Sequence, residues 1–138
     1  MAEVFATPQA AEAAFYDAFQ RRDLAAMMEV WADDDRVVCI HPGSERLEGR
    51  AQVEHSWQQV FSGEHRLRCE LSDEQYTQDA LLSIHVVREN ISVNGEYQGA
   101  VLATNIYQLM EGSWHMIVHH ASPEPLAAEG VSESFVLH

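Results

Sequence analysis

The sequence predicts an α+β fold in which three N-terminal helices cover one face of a curved antiparallel sheet and enclose a pocket. Up to about residue 61, apolar residues recur at helical spacing, and beyond residue 66 the period changes to two. Asn94-Gly95 separates two of the period-two segments, and it indicates a hairpin because both central positions of a type I′ turn need positive φ.

The predicted helices span about residues 8–21, 23–31 and 50–61. Thr7 followed by Pro8 is typical of a helix start, because the hydroxyl can cap the first turn and proline suits the first helical position. Asp23 is a similar cap for the second helix.

A short strand is expected between the second and third helices. Val37, Val38 and Ile40 favour a strand, and Pro42-Gly43 must end it because proline has no amide hydrogen to donate. His41 is therefore the last side chain of that strand and lies at a rim, where folds often present functional groups.

The longer strands are expected at about residues 66–78, 81–93, 97–109 and 113–122. A chain of 138 residues fits one domain, so we expect residues 1–138 to form a single unit. Residues 123–138 form a C-terminal tail whose apolar end, Phe135 to Leu137, is more than a disordered tail needs.

The charge balance excludes several classes of function. The chain has 22 acidic residues, eight arginines and no lysine, and its formal net charge is −14. A surface of this charge repels polyanions, so we expect no nucleic-acid partner. Without lysine, neither a Schiff-base amine nor a phosphate-loop lysine can exist, which excludes pyridoxal enzymes and Walker-type ATPases.

Cysteine and hydropathy patterns predict a soluble cytoplasmic protein. Cys39 and Cys69 are too few for a disulfide framework, and each lies in a strand-like run where free cysteine acts as a small hydrophobe. No apolar window approaches the roughly 20 residues of a membrane span, and the N-terminus does not read as a signal peptide. We therefore expect no membrane association.

A series of short motifs occurs in a specific order along the chain. In chain order they are Arg22-Asp23-Leu24, Trp31-Ala32-Asp33-Asp34, Ile40-His41-Pro42-Gly43, Leu47-Glu48-Gly49, Trp57 and Trp114 to Pro123. With these motifs, the chain resembles the nuclear transport factor 2-like superfamily over about residues 8–123, and within it the SnoaL-like and ketosteroid-isomerase-like proteins. The resemblance implies a cone-shaped fold with an apolar pocket between helices and sheet, and a homodimer formed through the outer sheet face.

The resemblance implies a proton-transfer role for His41. It precedes the proline where ketosteroid isomerases carry their proton-shuttling aspartate, although aligning it requires about two extra residues after Trp31. An imidazole with a pKa near 6.5 is a competent general base at neutral pH. The alternative is that His41 caps the strand end by bonding to the loop.

Asn105 stands where the resemblance places the protonated aspartate of the isomerase oxyanion hole. That aspartate is a well-known carboxylic acid that an apolar site keeps neutral. The amide of Asn105 could donate to a developing enolate oxygen, or it could satisfy buried backbone groups. Phe15 stands at the position that matches the isomerase tyrosine. Tyr16 is the next residue, so its side chain points about 100° further around the helix axis. The oxyanion pair is thus incomplete, and we do not expect a steroid isomerase.

His119 and His120 adjoin in the last strand, so the pleat predicts that they face opposite sides. Trp114, Met116 and Val118 share a side with His120, which suggests that His120 faces the pocket or packs in the core. His119 is then expected on the outer face. A zinc site built on His41 and His120 lacks a third ligand with recognisable spacing, so we expect no metal.

Aromatic side chains are the expected ligand-binding wall, although aromatics at helical spacing can also be plain core. The expected wall residues are Phe15, Tyr16, Trp31, Trp57, Phe61 and Tyr107.

Two functions follow as hypotheses. In the first, the protein is a cofactor-free proton-transfer enzyme, of isomerase, lyase or hydratase type, in which a small apolar carbonyl compound meets His41 while Asn105 or His120 polarises its oxygen. In the second, it is a non-catalytic dimeric module that binds a small ligand or a partner. The sequence names neither the substrate nor the pathway.

Overall fold

The computed structural model describes residues 3–125 and confirms the α+β class. The apolar end of the tail, Phe135 to Leu137, lies outside these residues. Within them the elements, in chain order, are α1 (Pro8–Arg21), α2 (Leu24–Val30), β1 (Val38–Ile40), β2 (Leu47–Glu48), α3 (Arg50–Val60), β3 (Leu67–Gln78), β4 (Leu82–Val93), β5 (Glu96–Met110) and β6 (Ser113–Pro123).

The helix starts follow the predicted caps. The Thr7 hydroxyl accepts a hydrogen bond from the Ala10 amide at 3.0 Å, and Pro8 is the first helical residue of α1. The Asp23 carboxylate accepts from the Ala26 amide at 3.0 Å and starts α2. Arg22, between the two helices, has a left-handed backbone with φ of 53° and ends α1.

The strands form one six-stranded sheet in the order β2-β1-β6-β5-β4-β3. The hairpin at Asn94-Gly95 is confirmed, with φ of 51° and 86°, as a type I′ turn requires. The prediction of a wholly antiparallel sheet is wrong for one pair, because β1 lies parallel to β6. A long connection separates these two strands in sequence, so no tight turn forces them to be antiparallel.

The core lies between the helices and the inner face of the sheet. Phe15 of α1, Val53 of α3 and Ala103 of β5 are all buried there. Within residues 3–125, no helix has the length and apolar character needed to cross a membrane.

The alternation of β4 is inverted relative to an ordinary half-buried strand. Its polar residues Ser83, His85 and Glu89 are buried on the inner face, whereas Ile84 and Val86 on the outer face are 38% and 43% exposed. Polar side chains normally face water, so both faces of β4 require an explanation.

Arg50, the first residue of α3, fixes α3 against the end of α2. Its guanidinium donates to the carbonyl oxygens of Met28 at 2.7 Å and of Trp31 and Ala32 at 3.0 Å. Carbonyl groups at a helix end have no partner within the helix, and Arg50 supplies one.

Replacing this side chain should destabilise the fold. We expect Arg50→Ala to lower the free energy of unfolding by about 2–4 kcal/mol, because three carbonyl groups lose a charged donor. Arg46→Ala is the matched control, since Arg46 forms an exposed pair with Glu48 and should cost less than about 1 kcal/mol. Equal losses in urea denaturation would contradict this role of Arg50.

Candidate functional site

A cavity of about 400 Å³ opens between α1, α3 and the inner face of the sheet. Four aromatic rings from the two helices form much of its wall, those of Phe15, Tyr16, Phe19 and Trp57. The wall also carries the carboxyl group of Glu89 and the imidazoles of His41 and His119, and none of the arginines in residues 3–125 lines it.

His41 was predicted to be the last residue of its strand and lies one residue past the end of β1, where its ring packs edge-on against the Trp57 ring at 4.8 Å. Its Nε2 lies 3.0 Å from the Ser56 hydroxyl on α3 and 3.6 Å from the Cys39 thiol. The side chain therefore contacts α3 rather than the loop after the strand. Burial lowers the pKa of His41, because the charged imidazolium loses hydration.

Glu89 of β4 was not among the residues predicted from the sequence, yet its carboxyl group faces the cavity and is only 7% exposed. Burial, opposed by the Tyr16 hydrogen bond and reinforced by the nearby Glu12, raises the pKa of Glu89 from 4.5 to about 7. A carboxyl group at this pKa can hold or release a proton near neutral pH.

A chain of hydrogen bonds connects Glu89 to His119. The Tyr16 hydroxyl donates to Glu89 Oε2 at 2.5 Å and accepts from Asn105 Nδ2 at 2.8 Å. Asn105 Oδ1 in turn accepts from His119 Nδ1 at 2.6 Å. Burial, together with the neighbouring histidines, lowers the pKa of His119 to about 3, so its ring is neutral at pH 7.

The predicted orientation of the paired histidines is wrong. His119 is buried and lines the cavity, whereas His120 is exposed on the outer face. Pairing of β6 with β5 shifts between Val118 and Met116, which leaves Ile117 as an extra residue in β6. A bulge of this kind reverses the alternation beyond it, so Trp114 and Met116 share the inner face with His119 instead.

Asn105 does not line the cavity, which corrects its predicted position. Its side chain is fully buried, and both ends of its amide are already bonded. It can orient Tyr16 and His119, but from this buried position outside the cavity wall it does not face a ligand.

Of the six residues predicted to form the aromatic wall, Phe15, Tyr16 and Trp57 line the cavity and three others do not. Trp31 is buried in the core at the end of α2. Phe61 packs behind Trp57 with ring centroids 5.5 Å apart, and Tyr107 packs against the His85 ring at 4.9 Å. None of these three lines the cavity, because helical spacing marks the inward face without distinguishing cavity wall from core.

A second set of buried polar side chains lies on the inner face of β4. Glu12 of α1 accepts from His85 Nδ1 at 2.9 Å, and His85 Nε2 lies 2.8 Å from the Ser83 hydroxyl. The exposed Tyr76 covers the His85 ring, and its hydroxyl lies 2.5 Å from a Glu74 oxygen and 3.0 Å from a Glu12 oxygen. Ser83 and His85 are fully buried and outside the cavity, so we interpret this group as structural.

Sequence reasoning missed Glu89 and His119. A signal for Glu89 was present, since Ser83, His85, Val87, Glu89 and Ile91 share one face by strand periodicity. His119 depends on the bulge at Ile117, for which the sequence offers no comparable signal.

Comparison with known proteins identifies the family. A family model described as the SnoaL-like domain matches residues 9–127. The chain belongs to the SnoaL-like domain family. Its predicted membership of the nuclear transport factor 2-like superfamily is confirmed by this match and by solved structures of the same fold.

Two solved structures show how closely other proteins match this SnoaL-like chain. A protein from Thiobacillus denitrificans, named as a calcium/calmodulin-dependent protein kinase type II association domain, is 42% identical with a TM-score of 0.81, over 89% of this chain and 99% of that one. A protein from Streptomyces avermitilis, named as a dehydratase of the nuclear transport factor 2-like family, is 26% identical with a TM-score of 0.80, over 86% and 94% of the two chains.

The F-box protein SKIP8 of Arabidopsis thaliana is also similar to this SnoaL-like chain. The two are 30% identical over 108 residues, which is 78% of this chain. The matched region is only 46% of the plant protein, so the chain spans less than half of that relative.

The raised pKa of Glu89 predicts a pH-dependent contribution to stability. The native state holds the proton between pH 4.5 and about 7 while the unfolded chain releases it, so this contribution is lost as the pH rises through that window. Glu89→Gln removes the titration. Its stability relative to the wild type should therefore increase by about 2–3 kcal/mol between pH 4 and pH 8.

Denaturant unfolding at several pH values measures this difference. Glu54→Gln is the matched control, since Glu54 is exposed on α3, and its difference from the wild type should not vary over that range. If the free energy of unfolding of Glu89→Gln varied with pH in parallel with that of the wild type, Glu89 would be ionised in the native state over this pH range.

Proposed function

We propose that the protein is a cofactor-free proton-transfer enzyme that acts on a small, largely apolar carbonyl compound held in the cavity. The observation that supports this most directly is the presence of Glu89 and His41 in the wall of one apolar cavity. Two titratable groups with differently shifted pKa values suit the acid and base roles of one reaction.

His41 is the proposed base. Its lowered pKa keeps the imidazole neutral at pH 7, so a nitrogen lone pair can take a proton from the carbon next to a bound carbonyl group. The C–H electron pair then moves towards the carbonyl oxygen and forms an enolate.

Glu89 is the proposed acid that stabilises this enolate. In its protonated form it can donate to the carbonyl oxygen, the role that the sequence suggested for Asn105 or His120. Tyr16 holds the carboxyl group through Oε2, and Asn105 and His119 hold Tyr16. Phe15, Tyr16 and Trp57 then supply the apolar wall against the rest of the ligand.

The dehydratase name of the Streptomyces avermitilis protein agrees with this chemistry. Loss of water from a hydroxyl compound needs a base for a C–H proton and an acid for the departing oxygen. Isomerisation of an enone uses the same two groups.

The β,γ-unsaturated isomer of cyclohexenone is a suitable probe, since its conversion to the conjugated ketone is followed by ultraviolet absorbance. The rate should be bell-shaped in pH, because His41 must be neutral and Glu89 protonated. The acidic limb should follow the lowered pKa of His41, and the basic limb should fall near pH 7.

Variants separate the two roles. We expect His41→Gln to reduce the rate by about 100-fold or more, and Glu89→Gln to abolish the basic limb because an amide does not titrate. His55→Gln is the control, since His55 lines a groove outside the cavity. A wild-type rate equal to that of His41→Gln, with the probe bound, would overturn the proposal.

A second candidate function is a non-catalytic dimeric association module. The 42% identical protein is named as an association domain, and the outer sheet face exposes Leu82, Ile84, Val86 and Leu102. Neighbouring exposed apolar side chains favour burial against another surface. We therefore propose a homodimer through this face, which is compatible with either function.

Light scattering tests the dimer. The wild type at micromolar concentration should have twice the mass of one chain, and Val86→Arg should shift it towards the monomer because a twofold interface would bring two like charges together. Gln58→Arg, on the exposed side of α3, should leave the mass unchanged. A monomeric wild type would contradict the proposed interface.

We also propose a cytoplasmic location. Cys39 and Cys69 are both free and buried in the sheet. Thiols in this state are usual where the compartment is reducing.

A further inference from the structure

The imidazole of His41 lies in the wall between two spaces. On one side is the apolar cavity, and on the other is a groove beside α3 whose lining includes Gln52, His55 and Gln59. Ser56 lines the groove but not the cavity, and its hydroxyl is the hydrogen-bond partner of Nε2 at 3.0 Å. The bond therefore ties one nitrogen of the ring to the groove side.

The hydrogen of the Ser56 hydroxyl is already used within α3. Ser56 Oγ donates to the carbonyl oxygen of Val53 at 2.7 Å. A hydroxyl has only one hydrogen, so towards His41 it can act only as an acceptor. The hydrogen of the neutral imidazole must then reside on Nε2.

The other nitrogen is left with a free lone pair. Nδ1 of His41 makes no hydrogen bond with any group in residues 3–125. The Cys39 thiol, 3.6 Å from Nε2, is a weak partner on the same nitrogen, and the edge-on Trp57 ring limits rotation of the imidazole.

We infer that Ser56 is a positioning residue that fixes the tautomer of His41, so that Nδ1 is the atom that takes the proton. This deepens the proposed function and rests on it for its catalytic meaning. In the transfer, the ligand C–H bond breaks and the proton forms a bond to Nδ1. The C–H electron pair forms a carbon–carbon double bond, and the π pair of the carbonyl group moves onto its oxygen. Ser56 accepts a stronger hydrogen bond from the imidazolium that results.

Nitrogen chemical shifts of the ligand-free protein test the tautomer directly. In ¹⁵N-labelled wild type above the pKa of His41, Nε2 should give the signal of a protonated nitrogen and Nδ1 that of an unprotonated one. In Ser56→Ala the two signals should move towards each other as both tautomers become populated. Ser56→Thr keeps the hydroxyl and should restore the wild-type pattern.

Ser62→Ala is the matched control, because Ser62 also donates to a carbonyl three residues earlier, that of Gln59 at 2.8 Å, without contacting His41. With the enone probe, Ser56→Ala should lower kcat by up to about twofold, since a fraction of the imidazoles then carry the hydrogen on Nδ1. The KM of Ser56→Ala should not change. If Ser56 had only a structural role, the substitution would alter thermal stability without changing the tautomer of His41.

The outcomes separate the two proposals. Protonated Nδ1 in the wild type, or an unchanged tautomer in Ser56→Ala, would overturn the role of Ser56 even if His41 proved essential for turnover. Equal turnover by wild type and His41→Gln would overturn the proposed function, while the shifts would still decide which nitrogen carries the hydrogen.

Discussion

The hydroxyl group of Tyr16 is the interaction on which the rest of the site depends. Through this one hydroxyl, α1 forms hydrogen bonds with Glu89 of β4 and Asn105 of β5. Asn105 in turn bonds to His119 of β6. All three sheet residues are buried, and an unpaired buried polar group costs about 1–3 kcal/mol. The rotation of α1 is thereby fixed, and with it the placement of Phe15 in the cavity wall.

Local signals in the sequence were sufficient for most of the fold. Thr7, Asp23 and the Asn94-Gly95 turn act within a few residues, so helix starts and hairpins could be predicted from nearby chemistry. The parallel pairing of β1 with β6 could not, because it joins Val38 to Val118 across the whole domain. Such pairings are selected by packing of the complete sheet.

The candidate site was only partly predictable for similar reasons. His41 was found because Pro42 ends its strand, which is a local constraint. His119 was missed because one extra residue in β6 reverses the strand alternation. Glu89 was missed because carboxyl groups are seldom buried, and its burial depends on a hydroxyl from a helix 73 positions away in sequence. A functional group that violates the usual burial preference is visible only once its partner is in place.

The inverted strand β4 has a consequence for how the chain reaches its native state. A slip of one residue in its pairing would bury Leu82, Ile84 and Val86 and bring Ser83, His85 and Glu89 to water, and it would also expose Val87 and Ile91, so more apolar side chains would be buried than exposed. The native register must therefore be selected by bonds made by the polar groups, such as Glu12 with His85 and Tyr16 with Glu89. Hydrophobic collapse that precedes docking of α1 would favour the slipped pairing, so β4 is a point of energetic frustration on the folding landscape.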